Sequence, residues 1–249
     1  MKFVKVEIVD GIAAVSLGRG KVNALNDTIV DELMQCLEKL AADGDIRAIV
    51  LTGRGKFFSF GFDIPEFLAF SKAAFTDFLT RFAGLYAYLF TFPKPVVAAL
   101  NGHTIAGGCM LALACDYRIM ISGRAKISLN EITFGASVFA GSTEMLRFWV
   151  GSARATEVLY SGAMYSAEEA LDIGLVQAVS PGESLIDRAR QVADDLAAKP
   201  APAFSGIKSL LRKPVAEEMM RHEAASIREF VEIWYTEDTW VNIQNIKIR

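Results

Sequence analysis

Histidine is almost absent from this chain: its 249 residues hold two, His103 and His222, far apart in sequence. A Ser–His–Asp triad has little to draw on, and no Gly-x-Ser-x-Gly elbow is present. Cysteine is nearly as scarce. Cys36, Cys109 and Cys115 are an odd number set in apolar, helix-like runs without metal-ligand spacing. Buried reduced thiols are expected, and with them a cytoplasmic location. No apolar run reaches membrane-spanning length, because Lys94, Asn101 and Asp116 interrupt the richest region. Residues 1–7 alternate like a strand and carry no apolar signal core. The chain is therefore expected to be soluble. Positive charge is not in excess either: the formal net charge is −3. That argues against nucleic acid and anionic membrane as partners. A dinucleotide fingerprint is missing too, so no Rossmann-type cofactor is expected.

What the chain has is apolar mass: 52% of its residues are hydrophobic. A chain of this length buries a substantial core without disulfides. Val4–Val9 and Ile12–Leu17 read as a hairpin across Asp10-Gly11, a strong two-residue turn signal. Asn26 or Asp27 caps a helix running to Ala42, with Ile29, Val30, Leu33, Leu37 and Leu40 at helical spacing. A strand follows at 48–51, a loop at Phe60-Gly61-Phe62, and an unusually aromatic helix at 67–92. Then come a strand at Val96–Leu100, a helix at 107–115, a strand at Tyr117–Ile121 and a short strand at 126–129. Helical pattern returns at 142–150, 153–160, 166–173 and 183–198, with a strand at 176–179. Strand–helix alternation predicts an α/β fold. Pro200 and Pro202 mark a change of character, and from Ala203 the pattern is helical, with no strand until, at most, the last few residues. The division drawn is 1–199 for a core with the active site and 200–249 for a helical region. Phe230, Trp234, Tyr235 and Trp240 give that tail much apolar surface, expected to be buried against the body or a second subunit.

The stretch richest in chemistry runs from Asn101-Gly102 through Gly107-Gly108-Cys109-Met110 to Cys115-Asp116-Tyr117-Arg118 and Glu131. Gly107-Gly108 lets backbone approach a ligand, and a helix starting there leaves free N–H groups at its positive end. Tight helix–strand packing is the plainer reading of the pair. Phe58-Ser59-Phe60-Gly61-Phe62-Asp63 forms a second Gly-containing turn after a strand. Two such loops can offer one N–H each to the same oxygen. These stretches, in this order from the opening hairpin to about Pro181, resemble the crotonase family of enoyl-CoA hydratases and isomerases.

The resemblance implies a spiral of ββα units followed by helices used in trimer formation, as a trimer or a dimer of trimers. Composition alone does not imply the spiral, and no clear internal repeat is visible. It also implies an acyl-CoA substrate, with coenzyme A as part of the substrate and no separate cofactor or metal. Glu131 occupies the position of the catalytic Glu, and Phe62 and Gly107 those of the backbone oxyanion donors. Asn23, Ala24 and Leu25 match the segment that lines the pantetheine. Phe60, Gly61, Asp63, Ile64 and Gly108 match the residues around the thioester. Phe60 departs from the small residue usual there, which crowds the adenine side of the loop.

The residues themselves leave alternatives. Glu131 lies among Leu, Ile and Phe, where desolvation raises proton affinity; a solvated Glu at a helix N-terminus is the other reading. Asp63 reads as a helix cap before it reads as a catalyst. Phe134 and Phe139 read as core, or as the lining of an acyl pocket. Met110 stands where two-carboxylate hydratases have a second Glu, and a thioether neither activates water nor delivers a proton. Leu129-Asn130-Glu131 resembles the mitochondrial-type Δ3,Δ2-enoyl-CoA isomerases. The expected reaction is therefore transfer of a double bond from 3-enoyl-CoA to 2-enoyl-CoA. A hydratase, another acyl-CoA reaction, or a non-catalytic acyl-CoA-binding scaffold are the alternatives.

Overall fold

The structure is a computed structural model that describes residues 1–246. It opens with β1 (Val4–Val9) and β2 (Ile12–Leu17), an antiparallel hairpin. Asp10 and Gly11 both have positive φ, 51° and 75°, as a tight hairpin turn requires. Helix α1 (Asp27–Ala42) is capped by Asn26, whose side chain accepts from the Ile29 N–H. Then follow β3 (Ala48–Gly53), β4 (Phe57–Ser59), α2 (Ile64–Phe67) and α3 (Lys72–Phe90). The next turn of the spiral is β5 (Val96–Leu100), β6 (His103–Ile105) and α4 (Gly107–Ala114). The third is β7 (Tyr117–Ile121), β8 (Ile127–Ser128), a 3₁₀ turn (Glu131–Phe134) and α5 (Ala140–Ser161). The chain closes with α6 (Ala167–Asp172), β9 (Ala178–Ser180), α7 (Leu185–Ala197), α8 (Ala201–Trp234) and α9 (Glu237–Gln244).

Two sheets result. The larger has the order β1-β2-β3-β5-β7-β9 and the smaller β4-β6-β8. Successive β–β–α units place their first strand in the large sheet and their second in the small one, which is the expected spiral. Beyond the opening hairpin the strands of both sheets pair in parallel, and an isolated antiparallel bridge ties Ile127 of β8 to Tyr165. Strands β3 and β5 are buried at every residue, as parallel strands covered on both faces should be. Alternation divides their side chains between two clusters. Ile49, Leu51, Val96, Ala98 and Leu100 join the main core. Val50, Val97 and Ala99 face α7 through Leu185, Ala189 and Ala193.

The structure departs from the sequence reading in the short elements. Residues 57–59 and 103–105, where no strand was expected, are strands β4 and β6. Three residues carry too little alternation to be recognised, and the pairing that defines them is entirely non-local. The helix expected at 67–92 is α3, which starts five residues later, where Ser71 caps it through the Ala74 N–H; Phe67 instead ends the short α2. The two helices expected at 142–150 and 153–160 are both present as the two halves of α5, separated at Gly151, whose φ 75° and ψ 166° are not helical. The strand allowed for the last few residues falls on 247–249, outside the described residues.

Helix α8 is fastened to the body by a buried ion cluster. Asp116, at the start of β7, accepts from Lys208 Nζ at 2.7 Å, Arg212 Nη2 at 3.0 Å and the Val96 N–H at 2.8 Å. Arg212 also donates to the carbonyls of Phe90, Ala114 and Cys115 and lies 4.4 Å from the centre of the Phe90 ring. Burial lowers the proton affinity of Lys208 and Arg212, and Asp116 opposes that shift. Further along, Glu223 accepts from the Gly141 N–H at 2.7 Å and from the Tyr86 hydroxyl. The tail thereby caps the N-terminus of α5. Phe230 and Trp234 are almost fully buried and pack against Phe75 of α3, so the body of this same chain covers them.

Replacing Asp116 by Ala leaves two cations buried without their counter-charge. The expected cost is about 3–5 kcal/mol of unfolding free energy, read from urea unfolding. A change below about 0.5 kcal/mol, the level of an ordinary surface substitution, would mean the cluster does not fasten α8.

Candidate active site

The small sheet sets the site. Its three strands run parallel, so their C-terminal ends lie at one edge, where open α/β sheets commonly bind ligands. From β4 the chain enters Phe60–Asp63, from β6 it enters Ala106–Gly107, and from β8 it reaches Asn130–Glu131. Ladder bonds continue past the strands: the Ala106 N–H donates to Ser128 O at 2.9 Å.

The first two loops touch. A Cβ added to Gly61 would lie 2.9 Å from Ile105 O and 3.1 Å from Gly107 N, and Gly61 itself has φ 96°. Only glycine meets both conditions. Leu25 forms a parallel bridge with Phe62, donating to Gly61 O at 2.7 Å and accepting from the Asp63 N–H at 2.9 Å. In that geometry the N–H of Phe62 itself points away from Leu25. The Gly107 N–H opens α4 and has no acceptor one turn back. Ala106, just before it, holds φ 50° and ψ −120°. This conformation favours glycine and costs an alanine about 1–3 kcal/mol. Its amide and carbonyl are both tied, to Ser128 O and to the Met110 N–H, so the surrounding bonds hold the turn that aims Gly107.

Glu131 starts the 3₁₀ turn after β8, closed by Gly135 in the left-handed conformation. Its side chain is buried, and Oε2 has no hydrogen-bond partner among the described residues. Burial pushes its carboxyl up to about 8, while a hydrogen bond from its own backbone pulls the other way. The desolvated reading of this residue therefore holds over the solvated one.

A cavity of about 330 Å³ opens onto Glu131, at the small end of ligand pockets, ~300–1,000 Å³. Phe60, Phe62, Ile64, Ile105 and Ala106 line it from the two loops, with Phe134 and Phe139 beside the Glu131 turn. The third side comes from the tail: Phe230, Trp234, Asn242, Asn245 and Ile246. Among the described lining residues Glu131 is the only carboxylate. The Phe62 ring makes edge contacts with Phe67 of α2 and with Phe78 and Phe82 of α3.

The sequence candidates thus separate. Phe60, Phe62, Ile64 and Glu131 share the cavity wall, with Gly61, Gly107 and Leu25 in contact directly behind it. Gly108 is pressed against β4: a Cβ there would meet Ser59 O at 2.5 Å. Asn23 and Ala24 are buried. The Asn23 amide donates to Arg54 O and Phe57 O at 2.9 and 2.8 Å, and its carbonyl accepts from the Ser59 hydroxyl at 2.8 Å. Asn23 thereby holds the β3–β4 turn. Asp63 caps α2 through the Glu66 N–H and pairs with Arg19 at 2.5 Å. Met110 is buried in α4, in the main core. The tail residues of the wall were not legible as site residues. Their only signal was an aromatic excess, which equally fits a core.

A family model described as Enoyl-CoA hydratase/isomerase matches residues 7–244. The chain belongs to the enoyl-CoA hydratase/isomerase family. The probable enoyl-CoA hydratase of Bacillus subtilis (strain 168) is 31% identical over 246 residues, 98% of this chain and 95% of that protein. The mitochondrial enoyl-CoA delta isomerase 1 of Mus musculus is 32% identical over 222 residues, 88% of this chain and 77% of that protein. In three dimensions, the crystal structure of human mitochondrial delta3-delta2-enoyl-CoA isomerase superimposes with a TM-score of 0.92 at 30% identity, covering 97% of this chain and 95% of that one. This family member thus has hydratase and isomerase relatives at nearly equal identity, within the expected crotonase fold. No helix of the described residues is long and apolar enough to cross a membrane.

Glu131 holds its extra proton in the folded chain between the ordinary carboxylate range and about 8. This group's stabilising contribution is complete below about pH 4, where both states are protonated, and is lost as pH rises through about 8. A Gln has no charge to desolvate. E131Q is therefore expected to gain stability over wild type between about pH 5 and pH 8, by roughly 1.4 kcal/mol per pH unit. Parallel urea unfolding curves at the two pH values, with a constant difference between the proteins, would contradict the buried carboxyl.

Proposed function

We propose that this enzyme is a Δ3,Δ2-enoyl-CoA isomerase with Glu131 as its single proton shuttle. The observation that carries the reading is a lone buried carboxylate with a free oxygen, in the wall of a cavity shared with the Phe60–Phe62 loop. The thioester oxygen of a 3-enoyl-CoA sits between the N–H groups of Phe62 and Gly107. Ionised Glu131 takes a proton from C2. The C2–H electron pair becomes the new C2–C3 double bond of the conjugated product as the old one shifts through a dienolate. Glu131–H then returns the proton to C4. Negative charge collects on the thioester oxygen in the intermediate, where each backbone donor is worth about 3–4 kcal/mol. Apolar walls keep water from the base and from the dienolate.

Hydration of a double bond needs one group to hold and activate water and another to deliver a proton. Met110, buried in the core, does neither. This favours double-bond migration over hydration at the same site. The enzyme assembles as a homo-oligomer in this reading, through α8, where Ile207, Leu210, Leu211 and Met220 are exposed. A purely monomeric species in analytical ultracentrifugation would rule that part out.

Incubation with 3-enoyl-CoA is expected to give 2-enoyl-CoA without net 3-hydroxyacyl-CoA. E131Q should lose at least ~10²-fold in kcat. Because the free enzyme must be ionised to act, kcat/KM should rise about tenfold per pH unit and level off near 8. Hydration of 2-enoyl-CoA as the dominant reaction, or near-normal activity of E131Q, would overturn the assignment.

A further inference from the structure

Glu131 stands at the start of a 3₁₀ turn whose hydrogen bonds are nearly all internal. The Thr133 N–H and hydroxyl donate to Asn130 O at 3.0 and 2.7 Å. The N–H groups of Gly135 and Ala136 donate to Ile132 O and Glu131 O, each at 3.1 Å. Among the described residues, one hydrogen bond reaches from residues 130–136 to another part of the chain: the Thr239 hydroxyl of α9 donates to Gly135 O at 2.9 Å. Ile132 and Thr133 also pack beside Gly162, but apolar contact carries no direction.

Both ends of this bond are built for it. Thr239 is only 4% exposed. Gly135 has φ 89°, and a Cβ there would lie 2.8 Å from Thr239 Oγ1, so only glycine permits the approach. Helix α9 is itself anchored. Ile243 is fully buried, Trp240 stacks on Tyr235 with ring centres 5.1 Å apart, and the Tyr235 hydroxyl donates to Phe70 O at 2.7 Å. Gly135 is exposed, so water could serve its carbonyl nearly as well. The bond therefore acts as a tether and is not needed to satisfy a stranded oxygen.

We propose that Thr239 is the positioning residue of Glu131: through Gly135 O it fixes the turn on which the base stands, so that the carboxylate is aimed before substrate arrives. Double-bond migration asks one carboxylate to reach C2 and then C4 of the same substrate, which restricts its placement tightly. A displacement of ~1 Å in such a site costs on the order of 10²-fold in rate. Helix α9 also brings Asn242 to the cavity wall, so the element that walls the acyl group holds the base as well. This inference rests on Glu131 acting as the base of the isomerisation.

The test compares T239V, which keeps the shape and loses the hydroxyl, with T239S, which keeps the hydroxyl. Conversion of 3-enoyl-CoA gives kcat, and calorimetric binding of a saturated acyl-CoA gives affinity without chemistry. T239V is expected to lose about 10- to 100-fold in kcat. Its affinity for the saturated thioester should stay within about twofold of wild type, the signature of an interaction that serves the transition state. T239S should match wild type in both to within about threefold. If T239V folds poorly, T239A removes the same hydroxyl and carries the test. A T239V kcat within about twofold of wild type would overturn the assignment. So would an equal loss in T239S, or a loss of kcat/KM in T239V that weaker binding fully accounts for, which would make Thr239 part of the acyl wall. A wild type that leaves 3-enoyl-CoA unchanged would remove the isomerase reading, and the tether is then decided by NMR. The Glu131 carboxyl carbon, identified as the signal missing from E131Q, is expected to titrate near 8 in wild type and in T239S. In T239V it should titrate at lower pH, because a loosened turn admits water to the carboxylate. The same midpoint in all three proteins would overturn the proposal.

Discussion

The buried cluster of Asp116, Lys208 and Arg212 is the constraint on which the site's environment depends. It fixes the first turns of α8 against β5, β7 and the end of α3. From Arg212 to Trp234 the helix runs 22 residues, roughly 33 Å at 1.5 Å per residue. Along the way Glu223 fastens it to the start of α5. Its far end then places Phe230 and Trp234 on the cavity that contains Glu131. That wall forms part of the surroundings in which burial raises the proton affinity of Glu131. A charge pair near one end of a helix thus bears on the chemistry of a carboxylate near the other.

The site combines two kinds of precision. The proposed donors are backbone groups, placed by a three-stranded parallel sheet and by glycines where two loops touch. Their positions depend on main-chain bonds and on the strained turn at Ala106. The proposed base is a side chain whose behaviour depends on what surrounds it. Substitutions in the aromatic shell of Phe62, Phe139 and Phe230 act through solvent access, whereas changes at Gly61 act through geometry.

The long periodic elements were readable because each carries its own pattern. The hairpin through Asp10-Gly11 appears in the structure with its expected bounds, and α1 with its Asn26 cap. Strands β4 and β6 were not readable. Three residues have no useful period, and these strands exist because β6 pairs with β4 on one side and β8 on the other. Asp63 was legible as a cap for the opposite reason: capping is local chemistry.

The sequence by itself determined the elements whose pattern is local, the scarcity of histidine and, through spaced motifs in order, the family resemblance with Glu131 as the candidate base. Tertiary structure alone decided that three strand ends share one edge and that Gly61 and Gly107 touch. It also decided that Glu131 is buried and that Trp234, about a hundred residues further along the chain, stands in the wall of the same cavity. Periodicity and capping act over a few residues and can be read along the chain. Desolvation and hydrogen-bond satisfaction depend on what lies nearby in space, and only the packed fold brings those neighbours together.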